Sequence, residues 1–300
     1  MTIVVVGDLM VDVVAALPGP LAHGSDTPAR ISHSQGGSGA NVAAWLAAAG
    51  ADAAFAGRAG ADPLGDAAVA ALAGVALAVE RDPRRPTGTC IVLVDPGGER
   101  TMIPDAGAND ALELAELPQG EHLHLTGYRL LREGSRPAAM RALALARERG
   151  MAVSVDPSSA APLAAAPAFL DWVADAGLLL PNADEALVLT GEADPERAAR
   201  ALAHRVRSCS APGRTTADSA QVVVTLGAAG ALWSDGERVL REPAVAAECV
   251  DTTGAGDAFA AGLLAARADG AEPQEQLAAG CALAARAVGV PGARAGGFNS

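Results

Sequence analysis

The sequence predicts an α/β fold: a doubly wound, mainly parallel sheet flanked by helices, with a small β-sheet lid over one end. Three observations carry this. Apolar runs of strand length alternate with alanine-rich helical stretches along the chain. The run Ile3–Gly7, "IVVVG", is β-branched without alternation, as strands buried on both faces are. One stretch, Thr87–Pro104, breaks the rhythm with two strand-like runs around "DPGG", a hairpin signal.

The elements follow in order. After the first strand, Asp26–Gln35 reads as an extended segment outside the core. Ala40–Gly50 reads as a helix stopped by glycine, and Ala53–Gly60 as a short strand. Asp62–Gly74 is a helix with Pro63 at its start. Beyond the hairpin, His122–Gly127, Pro137–Gly150, Met151–Pro157, Gly177–Asn182, Pro195–Val206, Gln221–Gly227 and Ala228–Ser234 continue the strand, loop, helix rhythm. Arg207–Ala220 is rich in Ser, Thr, Pro and Gly and reads as a mobile surface loop. The 300 residues read as a single domain without internal repeats. Residues 26–35 and 87–104 form its lid, which excludes water from a site beneath.

Composition narrows the function. The net charge of −13 argues against a nucleic-acid or anionic-membrane surface. A small phosphorylated ligand stays open, because backbone dipoles hold anions inside acidic proteins. Every basic side chain is Arg, which removes a Walker-type P-loop and a lysine Schiff base. Cys90, Cys209, Cys249 and Cys281 are scattered, as reduced thiols of a cytoplasmic protein are. The opening "MTIVVVGDLMVDVV" has no basic n-region, and no apolar run approaches ~20 residues, so neither a signal peptide nor a membrane span is expected.

The chemistry concentrates in "DTTGAGDAF", Asp251–Phe259. Gly254 and Gly256 let the backbone turn sharply and approach a ligand. Gly254 to Asp257 present N–H groups at a helix N-terminus, where the dipole suits a transferring phosphoryl group. Asp257, just inside the helix, is placed to take a proton from an attacking hydroxyl, and the dipole favours its ionised form. A plain helix cap needs one Ser, Thr or Asp, not two glycines beside a second acid. The dinucleotide fingerprint fails, since Phe259 holds its third glycine position.

This stretch resembles the C-terminal signature of the ribokinase (PfkB) family of small-molecule kinases. "GGSGANVAAWLAAAGADAAFAGRAGADPLGD", Gly36–Asp66, resembles the family's N-terminal signature. "GDLMVD", "PNADE" at Pro181–Glu185 and "VVVTLGAAGA" at Val222–Ala231 fall in family order, so the resemblance spans essentially the whole chain. It implies a ribokinase-like fold and ATP-dependent phosphorylation of a hydroxyl on a sugar or sugar-like substrate. It implies Asp257 as the base and Gly254, Ala255 and Gly256 as the anion hole. Asn182 and Glu185 would orient water-bound Mg²⁺ and the ATP phosphates, and an Asn-x-x-Glu pair also reads as a helix capping box. Thr225, Gly227 and Gly230 would serve the nucleotide at a strand end. Asp251 and Thr253, with carbonyls of Ala287–Ala293, match a monovalent-cation (K⁺) site; the plainer reading is that Asp251 caps the turn. Asp12, Gly36, Gly37 and Asn41 would line the acceptor pocket. Arg100, in the hairpin, either reaches substrate or is a solvated edge residue.

Two departures stand out. Ribokinases proper tend to carry Asn before the opening Asp and Lys in the glycine run; here Met10 and Ser38 occupy those places. Ribose itself is therefore in doubt. Two alternatives remain: a nucleoside kinase, and a catalytically silent nucleotide-binding regulator on the same fold. Scarce aromatics, 3% of the chain, weigh against base stacking. The pair His122 and His124 has no evident third ligand nearby and is not assigned to a metal. The three tryptophans read as core or lid packing. A homodimer through the lid is expected, because the lid has strand edges that need covering.

Overall fold

The computed structural model describes residues 1–209 and 220–294, so most of the run Arg207–Ala220 lies outside the described residues. The strands are β1 (Ile3–Val6), β2 (Met10–Ala16), β3 (Arg30–Gly36), β4 (Ala53–Gly60), β5 (Ala76–Asp82), β6 (Gly88–Val94), β7 (Arg100–Asp105), β8 (His122–Thr126), β9 (Ala152–Asp156), β10 (Leu178–Leu179), β11 (Gln221–Thr225), β12 (Ala231–Ser234) and β13 (Val239–Glu242). They form a nine-stranded sheet, order β13-β12-β11-β10-β9-β8-β1-β4-β5, and a separate four-stranded sheet, order β3-β2-β6-β7.

The large sheet is parallel from β5 to β11, and β12 and β13 complete it antiparallel. Its interior strand β1, third from the β5 edge, is buried on both faces. Val4 and Val6 join one core with Leu123, Leu125 and Phe169, while Ile3 and Val5 join the other with Trp45, Phe55 and Phe259. Fully burying such a side chain contributes about 1.5–3 kcal/mol of transfer free energy, so two continuous cores hold the sheet between its helices. Trp45 and Trp233 are core residues, each 1% exposed.

The small sheet contains both segments expected outside the core, and adds β2. Residues Gly7, Asp8 and Leu9 carry the chain from the interior of the large sheet straight into β2, which pairs antiparallel with β3 and parallel with β6. The side chain of Asn109, 1% exposed, fixes this crossing: its Oδ1 accepts from Leu9 N at 3.0 Å and its Nδ2 donates to Leu9 O at 2.9 Å. A second crossing is tied by Asp62. Its carboxylate caps the helix Pro63–Ala70 through Gly65 N at 2.8 Å and also accepts from Thr87 N at 2.8 Å, just before β6.

Candidate active site

The carboxyl ends of parallel strands all reach one edge, so the loops leaving them converge there. Together with one face of the small sheet they enclose a cavity of about 590 Å³. Asp8 follows β1, Asp156 ends β9, Asn182 follows β10 and Thr225 ends β11, and all four line it. From the small sheet come Met10, Asp12, Cys90, Arg100, Met102 and Pro104.

The floor is the turn Thr252–Asp257. Gly254 caps the helix Ala255–Ala268 with φ 74°, and a Cβ there would stand 2.6 Å from the Ala293 carbonyl oxygen, so only glycine fits. A Cβ on Gly256 would meet nothing within 4 Å. Packing does not demand that glycine; it leaves the space above the helix N-terminus open. First-turn N–H groups have no helical carbonyl to bond, and they border this space.

Asp257 is the third residue of the helix. Ser38 Oγ donates to its Oδ1 at 2.7 Å and Asn41 Nδ2 donates to its Oδ2 at 2.8 Å. Both donors come from the helix Ser38–Ala48, so the two glycine-rich stretches meet at one carboxylate. That helix is entered through Gly37, φ 90°, where a Cβ would stand 2.6 Å from the Asp8 carbonyl. Burial pushes Asp257 up to about 7, against the hydrogen bonds from Asn41 and Ser38, with Asp156 and Asp8 adding to the rise. The expectation that the helix terminus keeps Asp257 ionised is corrected: desolvation outweighs the dipole. Burial likewise pushes Asp12 up to about 6, opposed by Arg294.

Asn182 and Glu185 form the capping box and line the cavity at once. Glu185 N donates to Asn182 Oδ1 at 2.9 Å, and Asn182 N and Nδ2 return to the Glu185 carboxylate at 2.9 and 2.8 Å. Burial pushes Asp156 and Glu185 upward, and Glu185 raises Asp156 further. These oxygens form a hard, acidic donor set, which fits hydrated Mg²⁺. Thr225 is in the wall. Gly227 and Gly230, φ 57° and 95°, lie outside it and shape the turn between β11 and β12.

Asp12, Gly37 and Asn41 are in the wall, and Gly36 lies behind the Asp12 carboxylate. Arg100 is in the wall too, but its guanidinium is engaged: Nη2 pairs with Asp251 Oδ1 at 2.7 Å and Nη1 donates to Thr252 Oγ1 at 3.1 Å. Asp251 Oδ1 also accepts from Thr253 N at 2.7 Å, and Oδ2 from Gly292 N at 3.0 Å. With the Arg100 guanidinium paired to it, this carboxylate leaves no place for a monovalent cation while Arg100 is engaged. His122 and His124 share the Ser154 hydroxyl at 2.8 and 2.9 Å inside the core, and burial holds both well below the usual histidine range.

Sequence reasoning missed Asp8, Ser38, Arg129 and Asp156 as wall residues. Three of them could have been found by asking what stands at the carboxyl end of each apolar run. Ser38 stands out in the sequence only as a departure from the resemblance, where ribokinases proper tend to carry Lys, and its bond to Asp257 has no local signal.

Residues 1–298 match the pfkB family carbohydrate kinase profile. The chain belongs to the pfkB family. As a pfkB carbohydrate kinase it is a phosphotransferase. It is 32% identical over 273 residues to a fructokinase of Escherichia coli, an alignment covering 87% of this chain and 82% of the relative. The crystal structure of aminoimidazole riboside kinase from Salmonella enterica, complexed with aminoimidazole riboside and an ATP analog, is 26% identical with a TM-score of 0.76, over 98% of this chain and 95% of that one. An adenosine kinase from Sinorhizobium meliloti, 24% identical, has the same fold at a TM-score of 0.85, over 98% and 95% of the two chains.

Proposed function

We propose that this pfkB kinase transfers the γ-phosphoryl group of ATP to a hydroxyl of a sugar or sugar-like acceptor, with Asp257 as the base. The observation that carries the reading is the Asp257 carboxylate, held by Ser38 and Asn41 beside an open glycine turn at a helix N-terminus. Asp257 takes the proton of the acceptor hydroxyl as it attacks. Backbone N–H groups of Gly254 and Gly256 stabilise the charge on the moving phosphoryl oxygens, joined by Ala255 once its N–H leaves the Thr252 carbonyl, to which it donates at 3.3 Å. Glu185 and Asn182 would hold Mg²⁺ through water, and the ion when bound would supply neutralisation of charge on the donor phosphates. Thr225 borders the donor end. Gly227 and Gly230 act through the shape of their turn.

At the other end, Asp12 accepts hydrogen bonds from acceptor hydroxyls, Gly37 and Asn41 line their pocket, and Gly36 leaves room for Asp12. The small sheet is the lid. Its inner wall of Met10, Cys90, Met102 and Pro104 has no aromatic platform, which favours a sugar over a nucleoside. The nucleoside reading draws its support from the riboside kinase relative and from Tyr128 in the wall. Potassium at Asp251 and Thr253 requires Arg100 to withdraw, so the proposal is that ion and guanidinium compete. A homodimer through the outer lid face is proposed on its exposed isoleucines. Cytoplasmic location is proposed on Cys90, Cys249 and Cys281, which are free thiols. No described helix is long and apolar enough to cross a membrane.

The test is an ATP titration with Mg²⁺, followed by ADP release with D-fructose, D-ribose and aminoimidazole riboside. Saturable ATP binding and turnover of a sugar are expected. Absence of ATP binding sinks the kinase reading. ATP binding without turnover of any acceptor favours the silent regulator.

A further inference from the structure

Among the buried charges that the proposed chemistry leaves without a role, Arg294 is the one bonded to a residue that holds Asp257. Arg294 is 8% exposed and lies outside the cavity wall. Its Nε donates to Asn41 Oδ1 at 2.9 Å and its Nη2 donates to the Gly36 carbonyl at 2.7 Å. Asn41 in turn donates from Nδ2 to Asp257 Oδ2 at 2.8 Å. A side-chain amide accepts on one prong and donates on the other. With its oxygen on the guanidinium, Asn41 must aim its NH₂ group at Asp257. The flipped amide would set NH₂ against guanidinium and carbonyl oxygen against carboxylate, losing both bonds.

The neighbouring residues hold the arginine in place. Gly292 N donates to Asp251 Oδ2 at 3.0 Å, and Trp45 Nε1 donates to the Ala293 carbonyl at 2.9 Å. Ala293 also packs on Gly254, where a Cβ would come within 2.9 Å of Ala293 Cα. Residues 292–294 are therefore wedged between the helix Ser38–Ala48 and the turn that ends in Asp257. The fork of an arginine reaches two acceptors at fixed separation, which an ammonium does not.

We infer that Arg294 is a positioning residue: through Asn41 it sets the orientation of the Asp257 carboxylate, and through Gly36 it holds the glycine turn beneath Asp12. It is not among the residues that line the cavity. The inference rests on the reading of Asp257 as the base, and it adds a requirement on a segment remote in sequence from both signatures.

The test compares wild type, R294Q, R294K, N41A and the double variant R294Q/N41A. Thermal melts confirm folding, and kcat and KM for ATP are measured with the fastest acceptor among D-fructose, D-ribose and aminoimidazole riboside. R294Q is expected to lower kcat by roughly 10²-fold, the scale of a misplaced catalytic group, with KM for ATP changed by less than about threefold. R294K recovers part of the loss. On the N41A background R294Q adds little further loss, because the arginine works through the asparagine. Should R294Q fail to fold, R294K and R294K/N41A carry the same comparison. Unchanged kcat in R294Q, or losses that multiply in the double variant, overturns the inference. Near wild-type turnover in D257N removes the base reading itself; an inactive D257N beside a fully active R294Q removes only the role of Arg294.

Discussion

Asp257 stands third in its helix, where the dipole favours a carboxylate, yet burial pushes it up to about 7. D257N keeps shape and most hydrogen-bonding capacity while removing the proposed base. Its turnover is expected to fall by about 10²–10⁴-fold with ATP–Mg²⁺ affinity retained, as read by steady-state kinetics and calorimetric titration. Turnover near wild type would remove Asp257 from the mechanism. A base works only when ionised, so the wild-type rate should decline as pH falls through about 7. The stability sign is the reverse. The folded value lies above the ordinary 3.8, so the stabilisation is fully present below the unfolded value and is lost as pH rises through about 7. D257N escapes that loss. Its melting temperature should match wild type near the low end of that window and exceed it above the high end.

At the scale of elements, β7 is an edge strand of the small sheet, yet through Arg100 it is fastened to Asp251 and Thr252 in the turn that precedes the helix Ala255–Ala268. Both charged side chains are nearly buried, 18% and 17% exposed, so the pair is less screened than a surface bridge. R100Q frees the Asp251 carboxylate. The wild-type rate is expected to change little when potassium replaces tetramethylammonium, and the R100Q rate to rise several-fold in potassium. Equal insensitivity in both proteins would show that the ion and Arg100 do not compete. This linkage was not legible in the sequence. The hairpin at Thr87–Pro104 was, because "DPGG" between apolar runs has few other readings, and so were the main parallel strands. β2 was not: "MVDVVAA" looks like any buried strand, and its partners β3 and β6 are set by long-range register. The glycines and acids of Asp251–Asp257 were readable because their chemistry is local. Ser38 and Arg294 were not, since their importance comes only from what folding brings against them.

Across the whole molecule, the two sheets differ in how their faces are covered. Helices cover both faces of the large sheet. The small sheet covers one face with the cavity, where Asp12, Cys90 and Met102 point. Register puts Ile31, Ile91 and Ile103 on its opposite face, and they are 56%, 44% and 52% exposed. Ile91 and Ile103 are directly paired across β6 and β7. Soluble chains seldom leave a contiguous β-branched face and two sheet edges in water without a partner. A second copy of the chain fits, because the face would meet its own like across a two-fold axis. Such contact would also steady the lid, tying association to catalysis. Sedimentation equilibrium at tens of micromolar should give a dimer mass for wild type and a monomer mass for I91E/I103E. The charges cannot be desolvated at a dry interface without a cost of several kcal/mol. Neither substitution reaches the cavity, so the monomer should still bind ATP–Mg²⁺, with KM for the acceptor raised as the lid loosens. A wild-type protein that sediments as a monomer would end this proposal, and the exposed isoleucines would then have no partner of the chain's own kind.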